Sequence, residues 1–120
     1  MIFARVVAAT VFLAWPAFAK PESSQMTVGD LQILCEGSNV GEACRFYILG
    51  VVEGSALAAG VAKDKAHFCV PDGLSNAAMV SVIKNFVARD LKAYPADSGL
   101  PAVSFIAAGV MRAYPCALAR

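Results

Sequence analysis

Four cysteines, Cys35, Cys44, Cys69 and Cys116, restrict this chain more than any other feature, because the folds open to it depend on whether they are thiols, metal ligands or cross-links. The N-terminus bears on that choice. MIFARVVAATVFLAWPAFA carries a cation at Arg5, an apolar run from Val6 to Trp15 and the small-x-small site Ala17-Phe18-Ala19, the layout of a cleaved signal peptide. A membrane anchor needs roughly 20 apolar residues, and Pro16, Lys20 and Glu22 end the run before that. Residues 1–19 are expected to direct export and to be removed, leaving one domain over residues 20–120.

An even number of cysteines in a small exported domain predicts disulfides. The intervals of 9, 25 and 47 residues hold no C-x2-4-C pair, and His67 is the only histidine. No zinc centre, thioredoxin-like redox pair or cofactor is therefore expected. Charge excludes further classes. Without the signal the chain keeps nine basic and nine acidic residues, and a net charge near zero gives no field for nucleic acid or for an anionic membrane.

Apolar residues recur at helical spacing in four segments. Residues 20–26 (KPESSQM) read as a flexible terminus. A first helix is expected from Thr27, whose hydroxyl and the acid at Asp30 stand three apart like a capping box, with Val28, Leu31, Leu34 and Cys35 on one face. After the loop-like Glu36 to Val40, Asn39 and Glu42 signal the start of a long central helix that Gly60 closes as its C′ residue. On its wheel Glu42, Arg45 and Glu53 share one stripe, while Ala43, Gly50, Gly54 and Ala58 line a face of small residues. Two glycines inside a helix cost about 0.5–1 kcal/mol each, so Gly50 and Gly54 predict helix packing by close approach of a neighbour, and other helices are expected to cover everything but the stripe.

The third helix is expected from Ser75 to Tyr94, with Leu74 and Met79 as a hydrophobic staple and Met79, Val82, Ile83, Phe86, Val87 and Leu91 as its buried stripe. Pro95 stops it. The connector Pro95-Ala-Asp-Ser-Gly-Leu100 leads to Pro101 as first residue of a fourth helix that buries Val103, Ile106, Ala107, Val110, Met111 and Tyr114 and ends before Pro115. On that wheel Phe105 falls off the buried face, an exposed apolar candidate for a dimer or partner contact. Lys92-Ala-Tyr-Pro95 and Arg112-Ala-Tyr-Pro115 read as one stopping device used twice, a cation near the helix C-terminus and then a proline.

Short connectors favour antiparallel neighbours, so the expected fold is all-α, a small up-down four-helix bundle. Topology then chooses the cross-links. The end of the first helix and the start of the second share one pole, pairing Cys35 with Cys44, and the start of the third and end of the fourth share the other, pairing Cys69 with Cys116. Crossed pairs would have to span the bundle, whereas bonded cysteines have Cα atoms about 4.4–6.8 Å apart.

Catalysis finds little support in the residues. His67-Phe-Cys69 offers a Cys/His pair, but Cys69 has a disulfide partner and nucleophilic catalysis needs a free thiolate. Glu42 and Glu53 lie about three turns, roughly 16 Å, apart, too far for a carboxylate dyad. Gly50-x3-Gly54 has the form of a membrane dimer motif, yet Glu42, Arg45 and Glu53 interrupt the segment.

Taken in order, Leu34-Cys35, Cys44-Arg-Phe-Tyr47-Ile-Leu-Gly50-Val-Val-Glu-Gly54, Phe68-Cys69-Val-Pro71, Leu91 with Pro95, and Ala113-Tyr-Pro115-Cys116 resemble the Rap/Tai family of type VI secretion immunity proteins over nearly all of the mature chain. The resemblance implies a small helical periplasmic protein, often dimeric and not an enzyme, that binds and blocks a peptidoglycan-cleaving amidase toxin. In amidase-binding members the loop between the last two long helices can reach the toxin's active site. Here that loop is Tyr94 to Pro101, which makes Tyr94, Asp97, Ser98 and Gly99 the expected partner-binding residues, with Asp97 its single charge. The alternative is a small periplasmic helical chaperone or stress protein that holds unfolded clients on apolar faces.

Overall fold

The computed structural model describes residues 25–36 and 41–117. The expected signal peptide, residues 20–24 of the polar terminus and residues 37–40 of the first loop lie outside the described residues. Four α-helices follow in order, α1 (Val28–Glu36), α2 (Gly41–Ala62), α3 (Asn76–Ala93) and α4 (Ala102–Ala113), with a 3₁₀ turn, η1 (Pro95–Gly99), between the last two. The all-α fold tied by two disulfides is the expected one. Every pair of α-helices is in contact, and both cross-links form as topology requires: Cys35 bonds Cys44 with Cα atoms 5.0 Å apart, and Cys69 bonds Cys116 at 4.8 Å.

Helix ends follow the local chemistry of the chain. Ser75 caps α3, its Oγ accepting from the Ala78 N–H at 3.1 Å. Half-buried Leu74 and buried Met79 take the staple positions. The two Tyr-Pro stops are near copies: Tyr94 and Tyr114 both have φ −131°, with ψ 76° and 61°, and each donates its N–H four residues back, to Asp90 and Val110. A proline after each tyrosine keeps it out of helical geometry. Helix α2 ends two residues later than Gly60 promises. Lys63 takes the left-handed C′ conformation (φ 55°), with its N–H on the Gly60 carbonyl and the Asp64 N–H on the Ala59 carbonyl, the double bond of a Schellman end. Pro101 is the extended cap of α4 (φ −62°, ψ 126°) and not its first helical residue: its carbonyl accepts from the Phe105 N–H, while the residues on either side of it, Leu100 and Ala102, make the hydrogen bonds of a bridge that sets Pro101 opposite Thr27.

The core is formed by Val28 and Leu31 of α1, Cys44, Ile48, Leu49 and Val52 of α2, Met79, Val80, Ile83, Val87 and Leu91 of α3, and Ala102, Phe105, Ile106 and Val110 of α4. Two faces are rotated from expectation. In α3 Val80 is buried where Val82 was expected; in α4 Phe105 is only 9 % exposed while Val103 and Met111 face outward. Gly109 explains the second. The Phe86 and Phe105 rings pack with centroids 5.0 Å apart and planes tilted by 40°, and the bare backbone of Gly109 lies under Phe86, where a Cβ would stand 2.8 Å from Cδ1. Turning α4 this way buries an aromatic ring, which carries more apolar area than Val103 or Met111. Contacts of Phe86 with Phe105 and of Ile83 with Gly109 run in opposite senses, so α3 and α4 are antiparallel.

The expectation for α2 needs the larger correction. At 1.5 Å per residue it is roughly 33 Å long against roughly 18 Å for α4, so its shorter neighbours cover one side only. Phe46, Leu57 (69 % exposed) and Val61 (75 %) stand outside the core. A Cβ at Gly50 or Gly54 would meet nothing within 4 Å: among the described residues no helix makes the close approach expected there. By length and composition α2 is long and apolar enough to cross a membrane, but Cys44, Ile48, Leu49 and Val52 engage it in the core and Glu53 is exposed at its middle.

The glycines should separate cleanly in urea unfolding followed by circular dichroism. Gly109→Ala is expected to lower stability by about 1–3 kcal/mol through overpacking on Phe86, whereas Gly50→Ala and Gly54→Ala raise it, by up to about 1 kcal/mol each; equal effects would refute the packing described. For the cross-links, loop entropy makes loss of Cys69–Cys116, whose cysteines are 47 positions apart, cost about 4 kcal/mol and loss of Cys35–Cys44, 9 positions apart, about 2.7 kcal/mol, an order that paired Cys→Ala variants test.

Candidate functional site

The turn between α3 and α4 is exposed and fastened to its neighbours through the backbone. Its backbone is a relay: the Tyr94 N–H donates to the Asp90 carbonyl at 2.7 Å, the Asp97 N–H to Tyr94 at 3.0 Å, the Leu100 N–H to Asp97 at 3.0 Å and the Val28 N–H to Leu100 at 2.9 Å. The Ala102 N–H then donates to the Met26 carbonyl at 2.9 Å, closing an antiparallel bridge between Thr27 and Pro101. Met26, expected in a flexible terminus, is half-buried and fixed by this bridge. Gly29 lets the two segments meet, because a Cβ there would lie 3.3 Å from the Ser98 carbonyl oxygen.

Entry into α1 adds to the clasp. The Thr27 N–H and hydroxyl both donate to Oδ2 of Asp30, at 3.0 and 2.8 Å, and the Asp30 N–H donates back to the Thr27 hydroxyl at 3.2 Å. This is the reciprocal capping box with an aspartate in place of the usual glutamate. The backbone N–H of Thr27, and then its hydroxyl, hold the Asp30 carboxyl below the usual carboxylate range.

The four residues expected to meet a partner share this turn, though not equally. Tyr94 is 63 % exposed, and Ser98 and Gly99 are exposed beside it. Asp97 is half-buried and turned toward Asp90 of α3. Leu100, which the sequence reading passed over, is an exposed apolar neighbour. As the last residue of a connector it carried no helical spacing by which to single it out. Phe105, expected as an exposed contact, is in the core against Phe86 and unavailable to a partner.

Chemistry elsewhere is limited by committed groups. Both disulfides are closed and no cysteine is free, so Cys69 cannot act as a thiolate beside His67. Ser55, His67 and Asp64 line one cavity of about 350 Å³ between α2, the loop after it and α4, but the Ser55 hydroxyl donates to the Val51 carbonyl at 2.7 Å. A serine nucleophile needs that hydrogen bond on a base. Among the described residues no three His, Cys, Asp or Glu side chains gather to hold a metal ion.

A family model described as Rap1a immunity proteins matches residues 27–116, from the Thr27 cap to the last cysteine. No curated protein and no solved structure matches the chain.

The clasp predicts an acid response with a definite sign. With its folded pKa depressed, Asp30 contributes stability above the ordinary carboxylate range and loses it as pH falls through the lowered value. Thr27→Ala should therefore destabilise the protein at neutral pH, with the gap to the unmodified protein closing in acid; a gap unchanged with pH, measured by urea unfolding, would contradict the cap.

Proposed function

Because the chain belongs to the Rap1a immunity protein family, we propose that it is a periplasmic immunity protein that binds a type VI-delivered peptidoglycan amidase and blocks it sterically, with no chemistry of its own. The observation that carries this reading is the family match over the whole described domain. Two closed disulfides fit an exported protein in an oxidising compartment, and the N-terminal sequence supplies the export signal such a protein needs.

The proposed contact is η1 with its flanks. A plug works best when little ordering remains to be done on binding, since each immobilised side chain costs about 0.5–1.5 kcal/mol. Residues 94–101 meet that condition, being tied to α3 by the Tyr94 N–H and to α1 through Val28 and Met26. Tyr94 and Leu100 present the apolar surface of the turn; a tyrosine brings area with few rotamers and a polar tip, the usual character of an interface anchor. Ser98 and Gly99 lie between them and let a partner's backbone come close.

Periplasmic coexpression with an amidase encoded beside the gene is the test. Growth should be rescued, and Tyr94→Ala should weaken the purified complex by at least about tenfold while leaving the unfolding midpoint in place. Failure to neutralise any neighbouring toxin would remove the immunity reading. Binding unchanged in both Tyr94→Ala and Leu100→Ala would move the contact away from η1.

A further inference from the structure

Asp90 is half-buried near the end of α3, and its Oδ2 is buried with no hydrogen-bond partner among the described residues. An unpartnered buried carboxylate oxygen is costly. The group beside it is the carboxyl of Asp97, on η1, within side-chain hydrogen-bonding reach. Two ionised carboxylates cannot bond one another. A single proton between them supplies the missing donor and satisfies the orphaned oxygen.

We propose that Asp90 and Asp97 form a proton-operated latch that ties η1 to the end of α3 and slackens it when the pair ionises. With one proton the pair adds a side-chain bond across the same junction that the Tyr94 and Asp97 N–H groups span through the backbone. As pH rises the proton leaves to water, two like charges face each other with Oδ2 of Asp90 shut off from solvent, and η1 loses that tie. Other charges near the pair do not replace it. From α4, Arg112 acts on Asp90 in the opposite sense and weakly, while the acids of α1 are engaged elsewhere, Asp30 with Thr27 and Glu36 with Gln32. On α2, Arg45 is drawn over the Phe46 ring, and Glu42 and Glu53 are exposed. Desolvation first, and the Asp97 carboxyl second, place Asp90 above the usual carboxylate range.

The sign follows from the raised value. Ionised Asp90 is penalised in the folded state, so the penalty is fully present above its folded pKa and is relieved as pH falls through that value toward the ordinary range. Acidification therefore tightens η1 while it loosens the Thr27–Asp30 cap only further down in pH. The relevance to toxin inhibition rests on η1 being the toxin contact; the latch itself does not.

Carboxyl-carbon NMR titration of the disulfide-bonded protein, with hydrogen-exchange protection factors read at each pH, tests it without any toxin. One carboxyl of the pair should titrate above the ordinary aspartate range. Protection of the Asp97 and Leu100 amides should fall about tenfold as it ionises, the scale of one lost hydrogen bond, while that of Val87 in α3 stays level. Asp90→Asn and Asp97→Asn each place a permanent donor in the pair and should abolish the pH dependence, so either variant suffices if the other does not fold. Ordinary titration of both carboxyls, or the same fall in the asparagine variants, would overturn the latch and leave the immunity reading standing.

Discussion

Closure of the chain at two places by covalent bonds is what allows so uneven a set of helices to hold one arrangement. Helix α2 is far longer than α1 or α4 and leaves Phe46, Leu57 and Val61 outside the core, so packing around it is one-sided. Cys35–Cys44 fixes the end of α1 to the first turns of α2, and Cys69–Cys116 fixes the approach to α3 to the exit of α4. The Cys69 N–H also donates to the Tyr114 carbonyl at 2.8 Å. With the ends held, a modest core of aliphatic side chains and one aromatic pair is enough to set the register of α3 against α4.

That register fixes where η1 lies. Because Gly109 admits the Phe86 ring and Phe105 packs tilted beside it, α4 starts at a height that brings Pro101 level with Thr27. The bridge between them then draws Leu100 and Met26 into hydrogen bonds with Val28 and Ala102. The exposed turn is therefore rigid for reasons that lie in the core, some distance from its own residues. A surface held this way suits recognition of a preformed cleft better than capture of variable clients, and this distinguishes a dedicated inhibitor from a holding chaperone.

Much of this was legible in the residues because the signals are local or topological. The caps at Thr27 and Ser75, the two Tyr-Pro stops and both cysteine pairings depend on neighbours in sequence or on which helix ends share a pole. What was misread depends on rotation and length. The two candidate faces of α4 share Ile106 and Val110, and the decisive residue, Gly109, carries no hydrophobic signal at all. In α2 the glycines suggested a close neighbour, but no wheel reveals that the partner helices, which bury Ile48, Leu49 and Val52 beside them, all pack on the other side. For the proposed site, Tyr94 at the entry to η1 and Ser98 and Gly99 within it fall together, while the half-burial of Asp97 against Asp90 reflects a contact between segments that spacing cannot show.

The reading proposed above requires the fastened turn of this stapled helical protein to occlude another protein's active site. Hydrogen–deuterium exchange of the oxidised protein, alone and saturated with the amidase encoded beside its gene, reads that requirement directly. Added protection concentrated at residues 94–101, with α2 and the core of α3 unchanged and the amidase inactive, is the predicted result; protection confined to α2, or an amidase that stays active while bound, would contradict it.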